Sequence, residues 1–245
     1  MTPVRWVFVI AAITAALVST PISAQEISFA FGDQGSLTAR SIQILVLITL
    51  LSIVPGLAIM VTSFPFIVTV LSILRQAIGL QQSPPNMLIV SLALFLTYFV
   101  MEPVFVEAWS TGIEPLIAEQ IGVEEAFQKT LGPFRIFMAG RIDADTFQSL
   151  AALRPQTELG DTTASSPLSI LVPSFLLSEI ERAFEIGFLI FLPFLIIDLV
   201  VAAVLMSMGM MLVPPAIVSL PFKLAFFVVA DGWSLISGAL VRSYF

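Results

Sequence analysis

Cysteine and histidine are both absent from the 245 residues. Without them there are no thiol nucleophiles, disulfides, imidazole acid–base pairs or serine–histidine triads, and none of the usual zinc sites. The redox compartment therefore cannot be read from cysteine usage. Charge is scarce as well: 11% of residues are charged, against about 25% in an ordinary soluble domain. Apolar residues fill the space. They make up 58% of the chain, and the mean hydropathy is +1.04. These values mark an integral membrane protein, or a subunit buried in a membrane-associated assembly.

The shortage of base is local. Between Glu102 and Arg182 there are 12 acidic and 5 basic residues, and the remainder has 5 of each, so the net charge of −7 lies in that segment. Phosphate contacts need Lys and Arg, so this acidic loop argues against nucleic acid as a partner. The positive-inside rule concerns short loops and says little about one this long. Orientation then rests on the N-terminus. Arg5 gives a minimal positive region, 6–18 is an apolar run, and Pro21, Ile22, Ser23 and Ala24 form a small-residue exit. A span needs about 20 apolar residues, so 1–24 is expected to be a signal peptide. Its cleavage would leave the mature N-terminus outside the cytoplasm.

Four hydrophobic stretches follow: 42–61, continued past Pro65 by 64–74; 87–106, broken late by Glu102 and Pro103; 186–213; and 216–241. The expected fold is all-α and membrane-associated, with helical hairpins of kinked or broken hydrophobic helices and an acidic helical external segment. The expected organisation is a signal peptide (1–24), a short N-terminal segment (25–41) and a first hydrophobic hairpin (42–106). An acidic periplasmic segment (107–182) with a flexible linker (154–167) follows, then a second hydrophobic hairpin (183–245). Four crossings put the long loop outside and the 75–86 and 209–221 connections inside. As a helix, 186–213 would run about 42 Å against a hydrocarbon core of about 30 Å. Pro193 and Gly209 suggest a bend or break there, as Pro55-Gly56 does in the first stretch. Pro221, Lys223 and Asp231 divide the last stretch. Externally, 114–130 and 134–153 carry helix-compatible patterns punctuated by Gly132-Pro133, and Arg154 to Pro167 is polar and turn-rich.

Asp198 lies near the middle of the third stretch. A central Asp costs about 2.5–3.5 kcal/mol on insertion and each Leu, Ile or Phe returns about 0.3–0.6, so its apolar neighbours outweigh it. The carboxylate still needs a partner or a wet cavity, which leaves a structural contact between helices or a proton or pore role. Lys223 and Asp231 are eight residues apart. That is about 12 Å along one helix, too far for a direct bridge. Lys223 must snorkel to headgroups, reach another helix or reach another subunit. Met206, Met208, Met210 and Met211 cluster around Gly209, ahead of Pro214-Pro215. They are either lipid-facing filler or a compliant constriction, because an unbranched thioether fills irregular gaps and yields to a changing shape. No catalytic residue, metal or cofactor is expected.

Several blocks carry a resemblance. They are Leu74-Arg75-Gln76-Ala77, Gln81-Gln82-Ser83-Pro84-Pro85-Asn86, Leu92-Ala93-Leu94-Phe95-Leu96-Thr97 and Ile186 through Val200. Met208-Gly209-Met210-Met211, Val213-Pro214-Pro215, Leu220-Pro221-Phe222-Lys223 and Asp231-Gly232-Trp233 continue the series. In this collinear order the chain closely resembles the FliP/SctR family of type III export-gate proteins over nearly its whole mature length. The resemblance implies a non-enzymatic core channel subunit of a flagellar export gate in the bacterial inner membrane, at the flagellar basal body. Its substrates would be unfolded rod, hook and filament subunits, driven by the proton motive force and a separate ATPase. The implied partners are FliQ and FliR homologues, further copies of the chain in a pentamer, FlhA and FlhB, and membrane lipid. The resemblance also implies an assembly that protrudes toward the periplasm despite its hydropathy. Its methionine-rich loop, here Met206, Met208, Met210 and Met211, would seal the gate when no substrate passes. Asp198, Lys223 and Asp231 are the candidate intramembrane polar residues for assembly or gating. Pro65 and Phe66 stand where many relatives carry a threonine and an arginine, and the external segment matches only around 134–138.

Other classes fit parts of the pattern. Broken helices and midplane charges suit a secondary transporter, yet no corresponding pair of interrupted segments occurs in two halves. A virulence-type secretion gate shares the resemblance. An intramembrane aspartyl protease would need Asp198 and Asp231 in one site, and no Gly-x-Gly-Asp sequence is present.

Overall fold

The computed structural model describes residues 37–80, 84–154, 163–210 and 212–245. The expected signal peptide, most of the 25–41 segment, residues 155–162 of the linker, Gln81, Gln82, Ser83 and Met211 lie outside the described residues. Among the described residues the regular structure is helical, with no strand. The α-helices are α1 (Leu37–Met60), α2 (Phe64–Ile78), α3 (Asn86–Ala108), α4 (Glu114–Ile117) and α5 (Val123–Ala139). They continue with α6 (Ala144–Ala152), α7 (Leu168–Ser207), α8 (Pro215–Val229) and α9 (Gly232–Arg242). A π-helical turn, Trp109–Ile113, joins α3 to α4.

The chain divides into two compact units, Met1–Thr49 and Leu50–Phe245. In the first, the described residues are the opening turns of α1. This helix is apolar on every face, and none of the most apolar window of Arg40–Met60 is buried against protein. A helix without a preferred side is either a core element or a membrane span, and its exposure points to the second. By length and composition three helices can cross a membrane: Arg40–Met60, Asn86–Ile117 and Leu168–Ser207. The count becomes four when α8 and α9, bent by 62°, form one span.

The core of the second unit is built around α2. Its buried side chains, Phe66, Ile67, Val70, Leu71, Leu74, Ala77 and Ile78, recur at helical spacing and form one wide stripe. Each full burial of a large apolar side chain contributes about 1.5–3 kcal/mol. The stripe meets α7, α3 and α8. Gly187 lets α7 come close, because a Cβ there would lie 2.4 Å from Cδ1 of Ile73. A second cluster, Met138, Leu171 and Phe175, ties α5 to the start of α7.

Proline breaks fewer helices than expected. The stretches 42–61 and 64–74 are separated at 61–63, yet Pro55 lies inside α1. Pro193 and Pro173 lie inside a 40-residue α7, Pro221 inside α8 and Pro133 inside α5. The external break falls instead between α4 and α5, where Glu119 has φ 55°. The fourth stretch does bend, at Asp231, whose φ of 47° and ψ of 48° put it in the left-handed region. In α6, Asp143 caps the N-terminus by accepting a hydrogen bond from the Thr146 amide at 2.9 Å. That bond to the charged form holds its carboxyl below the ordinary value.

Candidate functional site

The buried residues of α8 are Ser219, Lys223 and Phe227, spaced four apart on one face. A buried ammonium on an otherwise apolar helix must find acceptors. Lys223 Nζ donates to Asp198 Oδ2 on α7 at 2.6 Å and to the Ala77 carbonyl in the last turn of α2 at 3.1 Å. Ser219 Oγ donates to the other carboxylate oxygen, Asp198 Oδ1, at 2.5 Å. The Lys223 side chain is 7% exposed and that of Asp198 31%, so the carboxylate keeps one open side. Lys223 sits mid-helix and buried, which excludes a headgroup role for it in this arrangement.

The Ala77 contact follows from helix physics. The last carbonyls of a helix lack intrahelical partners and carry partial negative charge. At the end of α2 the Gln76 carbonyl accepts from the Gly79 amide, and the Ala77 carbonyl accepts from Lys223. Gly79 has φ 87°, which supplies the left-handed turn that such a cap requires. One ammonium thus joins three helices at the C-terminal end of α2. Nearby, Arg75 Nη1 donates to Asn86 Oδ1, linking the last turn of α2 to the first residue of α3.

The methionines lie where this hairpin turns. α7 ends in a Schellman motif: the Met210 amide donates to the Leu205 carbonyl at 3.0 Å and the Gly209 amide to the Met206 carbonyl at 3.0 Å. Gly209 adopts φ 72°, so the glycine serves the cap. The cap thus fixes the backbone through Met210, while the side chains of Met206, Met208 and Met210 stand open. Met206, Met208 and Met210 are 61%, 67% and 41% exposed, and Leu212 beyond them 99%. These thioethers project from the end of the α7–α8 hairpin.

Asp231 stands apart from the clasp. It is exposed, makes no side-chain capping bond, and occupies the bend between α8 and α9. Asp198 is engaged by Lys223 and Ser219 rather than by Asp231, so the two carboxylates form no shared acid pair. A second polar centre was not foreseen from sequence. Glu179 of α7 is fully buried and receives Arg141 Nε at 2.9 Å and the Tyr244 hydroxyl. The three residues are too far apart in the chain for spacing to suggest it. The available hint was a carboxylate following the apolar opening turns of α7.

Known proteins place this sequence in a family. The FliP family pattern matches residues 47–240. A protein from Caulobacter vibrioides named flagellar biosynthetic protein FliP is 50% identical over 239 residues, covering 96% of this chain and 89% of its own. Its namesake in Agrobacterium fabrum is 49% identical, covering 86% of each chain. The Bacillus subtilis protein of that name is 44% identical over 84% of this chain and 93% of its own. Both the Lys223 clasp and the methionine tip fall within the matched residues, and the chain belongs to the FliP family.

Proposed function

We propose that this chain is a core, channel-forming subunit of a flagellar type III export gate in the bacterial inner membrane, passing unfolded flagellar subunits. Relatives named flagellar biosynthetic protein FliP, matched over most of their length, support the flagellar system over a virulence one. The observation that carries the gating role is the exposed thioether cluster Met206, Met208 and Met210 on a capped hairpin tip. Several copies side by side would bring these tips together with Met211 into a compliant ring. Flexible thioethers would close on one another when the channel is empty and part for a passing chain. Asp198, Lys223 and Ser219 set the angle of the hairpin that carries the tip, a positioning role with no chemistry of its own. The partners in this reading are FliQ and FliR homologues, FlhA and FlhB, further copies of the chain in a pentamer, and lipid, with the assembly reaching toward the periplasm.

Co-expression with FliQ and FliR homologues, followed by native mass spectrometry of the purified material, tests the assembly. The expected result is one discrete complex containing several copies of this chain. A stable lone monomer with the partners absent would instead return a secondary transporter to the front.

A further inference from the structure

We propose that Tyr244 is a latch: it holds α9 against a scaffold of α2, α5 and α7, and so fixes the far end of the hairpin's returning limb. Tyr244 is held from four directions. The Tyr244 hydroxyl donates to Glu179 on α7, and the Arg141 guanidinium lies 4.0 Å from the centre of the Tyr244 ring. Phe137 of α5 stacks on that ring at 5.9 Å with an interplanar angle of 13°, and Phe66 of α2 meets it edge-on at 5.6 Å. Arg141 also donates from Nη1 to the Ser243 carbonyl at 2.7 Å, so side chain and backbone are gripped together. Phe245 is 77% exposed, and the grip ends at Tyr244.

α9 buries Gly232, Ile236 and Leu240, and its start is the left-handed residue Asp231 at the 62° bend. The returning limb is thus pinned on one side of the bend by Lys223 and on the other by Tyr244. Without the second pin, α9 is held by Ile236 and Leu240, by Val241 against the core and by Trp233 edge-on to Phe227. The inference concerns only how the limb is held and stands independently of the export reading.

Hydrogen exchange on the purified full chain in detergent tests it, with Tyr244→Phe as the decisive variant because it deletes one hydroxyl and keeps the ring. A hydrogen bond to a buried carboxylate is strong enough that amides of Gly232–Arg242 should exchange at least about tenfold faster. Exchange in α8 should stay at the wild-type rate. Arg141→Lys, which keeps the charge but loses the fork and much of the stacking, should reproduce the effect. Wild-type exchange of α9 in Tyr244→Phe overturns the latch, and so does equal acceleration in every helix, which would make Tyr244 an ordinary contributor to global stability.

Discussion

Lys223 does three jobs with one ammonium: it neutralises Asp198, completes the cap of α2 and brings α8 against both. Lys223→Ala should therefore lose about 3 kcal/mol in denaturant unfolding in detergent, the lower end for a broken buried pair because Asp198 keeps an open side. Lys223→Met combined with Asp198→Leu should lose less than the single change, since no uncompensated charge remains. A larger loss in the double variant would contradict the pairing. Asp231 has a different origin, in its backbone. A residue at φ 47° needs a short polar side chain or none. Asp231→Gly and Asp231→Asn should be close to neutral, whereas Asp231→Val should cost about 1–2 kcal/mol. If Asp231→Asn lost as much as Asp231→Val in the same assay, the charge and not the bend would be what matters.

At the scale of helices, α2 and α7 are the axis of the second unit, and their approach depends on Gly187. Gly187→Ala would set a Cβ 2.4 Å from Cδ1 and 3.1 Å from Cγ2 of Ile73, a clash worth about 1–3 kcal/mol. Ile73→Val removes Cδ1, so the pair should recover part of the loss in melting experiments. Full additivity would mean the helices do not meet as described. The hydropathy of 186–213 announced the second half of α7, which begins earlier, at Leu168, while the buried face of α8 emerged only with its packing. Helix ends were harder to read. A proline inside a helix costs about 3 kcal/mol, which makes Pro193 or Pro133 look like a boundary. In these long apolar or packed helices the other contacts outweigh that cost. The actual bend fell at Asp231, whose cue is only a turn-forming Asp-Gly pair. The ion pair was half legible: burial chemistry required a partner for each charge, but which helix supplied it is a tertiary fact. The Arg141, Glu179 and Tyr244 centre is tertiary altogether, joining residues 38 and 65 positions apart.

For the whole molecule, two features point the same way. Apolar surface remains open along α1, α3 and α7, far more than a soluble monomer exposes, so the chain is completed by lipid or by partner helices. Met206, Met208 and Met210 are left uncovered at the end of a hairpin that Lys223 clasps at mid-helix and whose returning limb is latched. A rigid arm with a soft end suits a gate, in which position must be fixed while the seal must yield. The most direct measurement is ion conductance across membranes carrying the assembled gate, comparing the native chain with the triple variant Met208→Ala, Met210→Ala and Met211→Ala. The variant should leak ions in the absence of substrate while the native gate stays closed. Equal, low conductance in both would contradict the methionine seal.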